Sequence, residues 1–231
     1  MRPRIVLAST NAGKLREYRA LAASGPLDGL VEVLAPGDPA LGGRAMPEVP
    51  EESLDLGANA AAKARAAAAT FGCLAVADDT GLEVDALGGA PGPRAARYAG
   101  PGATDAQRVA RLLEALRGVP AERRTARFRC AIAVAEPPGA GGEGQTQVWL
   151  FEGVCEGRIL EAPRGGGGFG YDPVFWVPEA GRSFAELSLE EKNRLSHRAR
   201  AWRKAELLLV ERLLGGGPPA AGRGAGRGAG I

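Results

Sequence analysis

The stretch Ala8–Tyr18, "ASTNAGKLREY", follows the apolar run Ile5-Val6-Leu7 and predicts a buried strand, a polar loop and a helix in succession. A loop in this position can bind phosphate, because the first N–H groups of a helix are free and favour anions. It is not a Walker A loop, since Ala8 replaces the leading Gly and Leu15 replaces the Ser or Thr. The loop is therefore either a phosphate site of another kind or an ordinary helix cap.

The composition predicts a globular protein without a general nucleic-acid surface. The 231 residues are 45% hydrophobic and 24% charged, which suits one large α/β domain or two small lobes that share a cleft. The net charge of +2 lacks the basic excess of a nucleic-acid binder. Cys73, Cys130 and Cys155 form no CxxC pair, so we expect neither disulfides nor zinc, and a cytoplasmic location. No apolar stretch suits a membrane span, so we expect no membrane partner.

The rest of the chain alternates between helical and strand-like patterns, which predicts a mixed sheet with flanking helices. Helices are expected over residues 55–72 and 104–117, and antiparallel strands over 126–136 and 147–160. A capping box, Ser188 and Glu191, starts a last helix that ends before Gly215. We predict one domain over residues 1–214 and a disordered Gly-, Ala- and Arg-rich tail over 215–231.

Carboxylates are concentrated around two predicted helix and strand ends. Asp78 and Asp79 in "ADDTG" follow a buried apolar run, so they are expected near a strand end, where α/β proteins bind ligands and where Mg²⁺ could be held. The same four residues, Asp-Asp-Thr-Gly, also suit a turn. Glu51 and Glu52 precede a helix on which Asn59 and Lys63 share a face; alone, this is typical of a solvated helix start.

Two later stretches carry aromatic and basic side chains. "GGGGFGYDP", Gly165–Pro173, matches GxGxxG formally but leads into a strand-like segment, so it does not predict a dinucleotide site. Phe169 and Tyr171 suit stacking on a base, although a flexible hairpin is the alternative. His197 beside Arg198 suits recognition of carbonyl or phosphate oxygens, although a lone histidine is more often structural.

In this order, five stretches resemble the motifs of the inosine triphosphate pyrophosphatase family, the dITP/XTP pyrophosphatases: "ASTNAGKLREY", "EESLDLGANAAAKARA", "ADDTGLEVDALGGAPGPRAARYAG", "GFGYDPVFWVP" and "AELSLEEKNRLSHRARA". The resemblance runs from about Ile5 to Leu214. It implies an elongated, twisted mixed sheet with two lobes around a central active-site cleft, and a homodimer. It also implies hydrolysis of ITP, dITP and XTP to the monophosphate and pyrophosphate with Mg²⁺, which cleanses the nucleotide pool.

The resemblance also assigns roles to residues at matching positions. Asp79 is implied to be the proton acceptor and a magnesium ligand, with Glu51, chosen over Glu52 by its spacing to Asn59, as the second ligand. The implied substrate-binding residues are Ser9, Thr10, Asn11, Ala12, Gly13, Lys14, Thr80, Phe169, Gly170, Tyr171, Asp172, Lys192, His197 and Arg198. Pro93, Arg94 and Ala95 replace the family's usual aliphatic, aromatic and serine residues, so no contact is carried over to them.

Two other functions compete with this hypothesis. A pyrophosphatase of the similarly folded Maf-like kind would prefer other nucleotides, such as dTTP or UTP. An RNA-binding or scaffold role would rest on the Arg-Gly tail around Arg223 and Arg227, but two arginines are few for that purpose.

Overall fold

The computed structural model describes residues 2–50, 53–139 and 146–214. Within them, helices pack on both faces of a mixed sheet, as predicted. The strands are β1 Arg4–Leu7, β2 Glu32–Leu34, β3 Leu74–Val84, β4 Pro91–Gly92, β5 Thr125–Ala135, β6 Val148–Ile159, β7 Phe175–Val177 and β8 Arg182–Ser183. The helices are α1 Ala12–Ala23, α2 Leu56–Phe71, α3 Asp105–Ala115, α4 Leu189–Leu195 and α5 His197–Leu214. None of the helices in these ranges has the length and apolarity to cross a bilayer.

The sheet has the order β2-β1-β3-β5-β6-β7-β8, with β4 beside β3. β1 pairs in parallel with β2 and β3, and the other pairs are antiparallel. β5 covers one edge of β3 along almost its whole length. On the other edge β1 pairs with residues 74–76 and β4 with residues 82–83. The stretch between them, residues 77–81, has no strand partner on that edge within the described ranges.

The prediction that "ADDTG" lies near a strand end or forms a turn is wrong. Asp78, Asp79 and Thr80 lie inside the 11-residue strand β3 and pair in register with β5. The continuous antiparallel partner stabilises extended backbone there, and this long-range pairing overrides the local turn preference of the four residues. Consecutive strand residues point to opposite faces, so the side chains of Asp78 and Asp79 lie on opposite faces of the sheet.

The two faces of the sheet have different cores. Trp202 and Tyr18, from α5 and α1, pack on the face that carries Val76 and therefore Asp78. The alanines of α2 pack on the face that carries Ala77 and therefore Asp79. Small side chains allow α2 to lie close to the strand, which brings its polar residues within reach of Asp79.

The predicted starts of α2 and α4 are confirmed, with one correction at the C-terminal end. Asn11 caps α1, Asp55 caps α2, and Ser188 and Glu191 form the predicted capping box of α4. The last helix, predicted as continuous, is broken at Ser196, whose backbone is extended and whose hydroxyl accepts the N–H of Ala199. This side-chain bond replaces a helical backbone bond, so α4 ends at Leu195 and a new helix, α5, begins at His197. His197 and Arg198 lie in its first turn.

Gly153 on β6 allows α5 to approach the sheet. A Cβ at this position would lie 2.1 Å from the carbonyl oxygen of His197 and 2.5 Å from the amide nitrogen of Ala201. We expect Gly153→Ala to lower the free energy of unfolding by roughly 1–3 kcal/mol, because backbone must move to relieve the overlap. Denaturant unfolding measures the change. The matched control is Gly166→Ala, where a Cβ meets nothing within 4 Å; equal losses in both variants would contradict the packing argument.

Candidate active site

A cleft of about 550 Å³ opens where β3 lacks a strand partner on one edge. It brings together most of the predicted site residues: Ser9, Thr10, Asn11, Lys14, Asp79, Thr80, Phe169, Gly170, Tyr171, Asp172, Lys192, His197 and Arg198. Ala12 and Gly13, the first residues of α1, do not line it. Gly13 instead supports the Phe169 ring, since a Cβ there would lie 2.5 Å from it. Glu51 and Glu52 fall outside the described residues.

Asp79 lies on the α2 side of the cleft and is only 7% exposed. Its Oδ2 accepts a hydrogen bond of 2.9 Å from Asn59 Nδ2, and its Oδ1 lies 3.5 Å from Lys63 Nζ. Lys63 Nζ also donates to the carbonyl oxygen of Asp78 over 2.7 Å. Asn59 and Lys63 therefore share one helix face, as predicted, but Asn59 is buried, so this face is not a solvated helix start.

Asp78 lies on the opposite face, among cations. Its Oδ2 is 2.9 Å from Lys14 Nζ and 3.6 Å from Arg198 Nη2, and it accepts the hydroxyl of Thr80 over 3.0 Å. Burial alone would raise the pKa of Asp78, but Lys14, Arg198 and Lys63 together hold it well below its usual range. The carboxylate is therefore ionised throughout the physiological range.

Glu17 contacts two of the basic residues that line the cleft, Lys192 and Arg198. Its Oε1 lies 2.7 Å from Lys192 Nζ, and its Oε2 accepts from Arg198 Nη1. Burial would raise the pKa of Glu17, but these two cations lower it. Lys192 also pairs with Asp172. Oppositely charged side chains thus alternate along one buried chain of contacts: Lys14, Asp78, Arg198, Glu17, Lys192 and Asp172.

The glycine-rich loop is held by hydrogen bonds at consecutive residues. The Phe169 N–H donates to Asp172 Oδ2 over 2.8 Å, and the Gly170 N–H donates to Asp105 Oδ2 over 2.6 Å. The Tyr171 hydroxyl donates to the carbonyl oxygen of Ala95 over 2.8 Å. These bonds connect the segment to α3 and to the short turn Ala95–Arg97.

His197 is a buried, neutral imidazole. Its ring stacks on Phe128, with centroids 4.6 Å apart and planes 14° apart. Burial first, and the nearby Arg198 second, lower its pKa well below the usual value. Neither ring nitrogen has a hydrogen-bond partner within the described residues. One nitrogen can therefore donate a hydrogen bond and the other can accept one, and the residue lines the cleft.

Several site residues were not identified from the sequence. Glu17 precedes Leu21 by one helical turn, so a charge on the apolar face of α1 was the available signal. Asp105, at the start of α3, and Phe128, in β5, also line the cleft. The other lining residues outside the predicted set are Ala8, Met46, Pro47, Val49, Lys63, Asp78, Pro93, Ala95, Ala96, Arg97 and Arg108.

Comparison with known proteins agrees with this geometry. The sequence model of the Ham1 family matches residues 5–207. The chain belongs to the Ham1 family. The family resemblance drawn from the sequence motifs is thereby confirmed.

The sequences of two relatives are similar to this Ham1-family chain over nearly the full length of both proteins. The dITP/XTP pyrophosphatase of Geobacillus kaustophilus is 48% identical over 202 residues, which cover 87% of this chain and 92% of the relative. That of Methylococcus capsulatus is 50% identical and covers 87% of this chain and 93% of the relative. Among solved structures, a HAM1 protein from Coxiella burnetii is 39% identical, with a TM-score of 0.74 over 90% of this chain and 99% of that one.

Proposed function

We propose that this Ham1-family chain is a dITP/XTP pyrophosphatase. It hydrolyses non-standard purine nucleoside triphosphates, namely ITP, dITP and XTP, to the monophosphate and pyrophosphate, and so cleanses the nucleotide pool. The observation that carries the proposal is the convergence of the five sequence stretches on one cleft, with a buried carboxylate, Asp79, on its wall. The names of its relatives support the same activity.

The phosphates are proposed to bind at the start of α1. Ser9, Thr10 and Asn11 line the cleft directly before the helix, where free N–H groups and the helix dipole favour anions. Lys14 adds a positive charge from the first turn, and Lys192 also lines the cleft. These two cations can offset the negative charge that develops as the phosphoanhydride bond breaks.

A magnesium ion suits this set of donors. Mg²⁺ binds through one or two carboxylates together with substrate phosphates and water, and Asp79 offers a carboxylate on the cleft wall beside the phosphate loop. We propose Asp79, with Glu51 as the second ligand. When bound, the ion neutralises phosphate charge and lowers the pKa of coordinated water. Asp79 is proposed to accept the proton of the attacking water, while its hydrogen bond from Asn59 fixes the carboxylate.

The base is proposed to bind at the opposite end of the cleft. His197 presents two unpartnered nitrogens, and the buried Nε of Arg198 also lacks a partner within the described residues. Donors here would pair with the 6-keto oxygen of hypoxanthine or xanthine. The 6-amino group of adenine would leave them unpaired, which costs binding energy in a buried site. Phe169, supported by Gly13, offers an aromatic surface to the base.

The surroundings in which the enzyme works are also part of the proposal. We propose that it acts in the cytoplasm as a homodimer on free nucleotides, without a nucleic-acid or membrane partner. The near balance of charge, +2 overall, supports the absence of nucleic acid as a partner.

A substrate panel tests the function. With Mg²⁺, we expect kcat/KM for ITP, dITP and XTP to exceed that for ATP by roughly 10²-fold or more, because a site built for a keto oxygen rejects an amino group. Chromatography identifies the products as monophosphate and pyrophosphate. Release of orthophosphate would contradict cleavage between the α and β phosphates. A preference for dTTP or UTP would favour the Maf-like alternative.

A further inference from the structure

Asp78 occupies a position between the phosphate end and the base end of the cleft. It is the one carboxylate that contacts both Lys14, at 2.9 Å, and Arg198, at 3.6 Å, within the described residues. It is only 3% exposed. Its Oδ2 carries these contacts and that of Thr80, whereas Oδ1 is buried without a hydrogen-bond partner in the described part of the chain.

This arrangement does not suit a base or a metal ligand. A general base must reach the proton of the attacking water, and a metal ligand must offer an accessible oxygen. Asp78 Oδ1 is closed off from solvent and Oδ2 is surrounded by donors. The side chain also points to the face of β3 opposite to Asp79.

Lys14 is the group on which Asp78 can act. A lysine side chain has four flexible bonds, and holding its ammonium in one place costs conformational entropy. The ammonium has three donors, so one can bind Asp78 while two remain for phosphate oxygens. Arg198 depends less on Asp78, because Glu17 already binds it.

We propose that Asp78 is a positioning residue that holds the Lys14 ammonium in place for the triphosphate; this inference rests on the proposed function. One strand thereby supplies both parts of the phosphate machinery from adjacent residues. Asp79 faces the reacting water on one side of the sheet, and Asp78 orients the cation on the other. The backbone of β3, paired along β5, keeps the two at a fixed separation.

A double-mutant cycle tests the proposal. We expect Asp78→Asn to lower kcat/KM for ITP roughly tenfold or more, but less than about threefold in the Lys14→Gln background, because coupled residues are not additive. A purely structural defect would lower the rate by the same factor in both backgrounds, and that result would overturn the proposal. A raised Mg²⁺ requirement in Asp78→Asn would also overturn it. Glu83→Gln, on the same strand but outside the cleft, is the control.

A second measurement reads proton exchange at the lysine ammonium groups of the wild-type protein. The chain has four lysines, Lys14, Lys63, Lys192 and Lys204, so conservative Lys→Arg variants serve only to assign the ¹⁵N NMR signals. We expect slow proton exchange at Lys14, unlike the exposed Lys204. Equal exchange rates at Lys14 and Lys204 would overturn the proposal that Asp78 holds the Lys14 ammonium in place.

Binding of Mg²⁺–tripolyphosphate separates the proposed role of Asp78 from the proposed pyrophosphatase activity. It is measured on the wild type, the two single variants and the double variant. If the wild type fails to hydrolyse ITP, the proposed function fails. Non-additive losses of tripolyphosphate affinity in Asp78→Asn and Lys14→Gln would still support the positioning role of Asp78. Additive losses would overturn it.

Discussion

Replacing Asp79 by asparagine is expected to lower kcat for ITP by roughly 10²-fold or more, because the variant cannot accept a proton and loses a negative charge at the proposed metal site. Folding should survive. The amide oxygen of asparagine can still accept the hydrogen bond from Asn59, and the side chain keeps its size. Lys63 loses its 3.5 Å contact with the carboxylate but keeps its hydrogen bond to the carbonyl oxygen of Asp78, so we expect the free energy of unfolding to fall by roughly 1–2 kcal/mol.

Pyrophosphate release from ITP at saturating Mg²⁺ measures this effect, with thermal unfolding on the same preparation. Asp55→Asn is the matched control: it is the same exchange at the exposed cap of α2, where asparagine caps equally well. The control should keep wild-type turnover. Wild-type turnover in Asp79→Asn would instead remove Asp79 from the chemistry and leave it as a partner of Asn59.

The sequence predicted which residues meet in the cleft better than it predicted the backbone around them. Residue types for anion and carbonyl recognition remain recognisable at any backbone geometry, so Lys14, Asp79 and Arg198 could be named from motifs. The conformation of "ADDTG" could not, because it depends on pairing with β5 about fifty residues away, and turn propensity is local. The break at Ser196 was missed for a different reason: its cause is a local bond from the Ala199 N–H to the Ser196 hydroxyl, and the helical pattern continues through it.

Glu17 shows a second limit of the sequence. Helical periodicity placed it beside Leu21, but a single charged residue on an apolar face is common and does not predict a partner. Its partners, Lys192 and Arg198, are more than 170 residues away along the chain. Only the packing of α1 against α4 and α5 brings the three together.

Lys192→Met should cause the largest loss of stability among these variants. Lys192 is 3% exposed and contacts both Glu17 and Asp172. Methionine preserves length but leaves two buried carboxylates with one cation fewer, which costs roughly 3–5 kcal/mol when a buried pair is broken. For a domain of this size we expect the Tm to fall by roughly 10 °C. Lys204→Met, at an exposed site, should leave the Tm almost unchanged.

The deficit of Lys192→Met should depend on pH in a defined direction. Burial already raises the pKa of Asp172 above its ordinary value, and Lys192 opposes that rise. Without the lysine the folded-state pKa rises further, so the folded variant binds a proton at a pH where the unfolded chain does not. Stability then increases as the pH falls. The difference in Tm between variant and wild type should therefore shrink between about pH 7 and about pH 5.

Removing the unpaired charge tests the cause of this loss. Asp172→Asn added to Lys192→Met should recover part of the lost stability, because a neutral amide is cheaper to bury than an unpaired carboxylate. Asp172→Asn alone should destabilise, since Lys192 would then lose one of its two carboxylate partners. If the double variant were less stable than Lys192→Met, the loss would come from packing around Phe169 and Phe184, which the lysine also contacts, and not from charge.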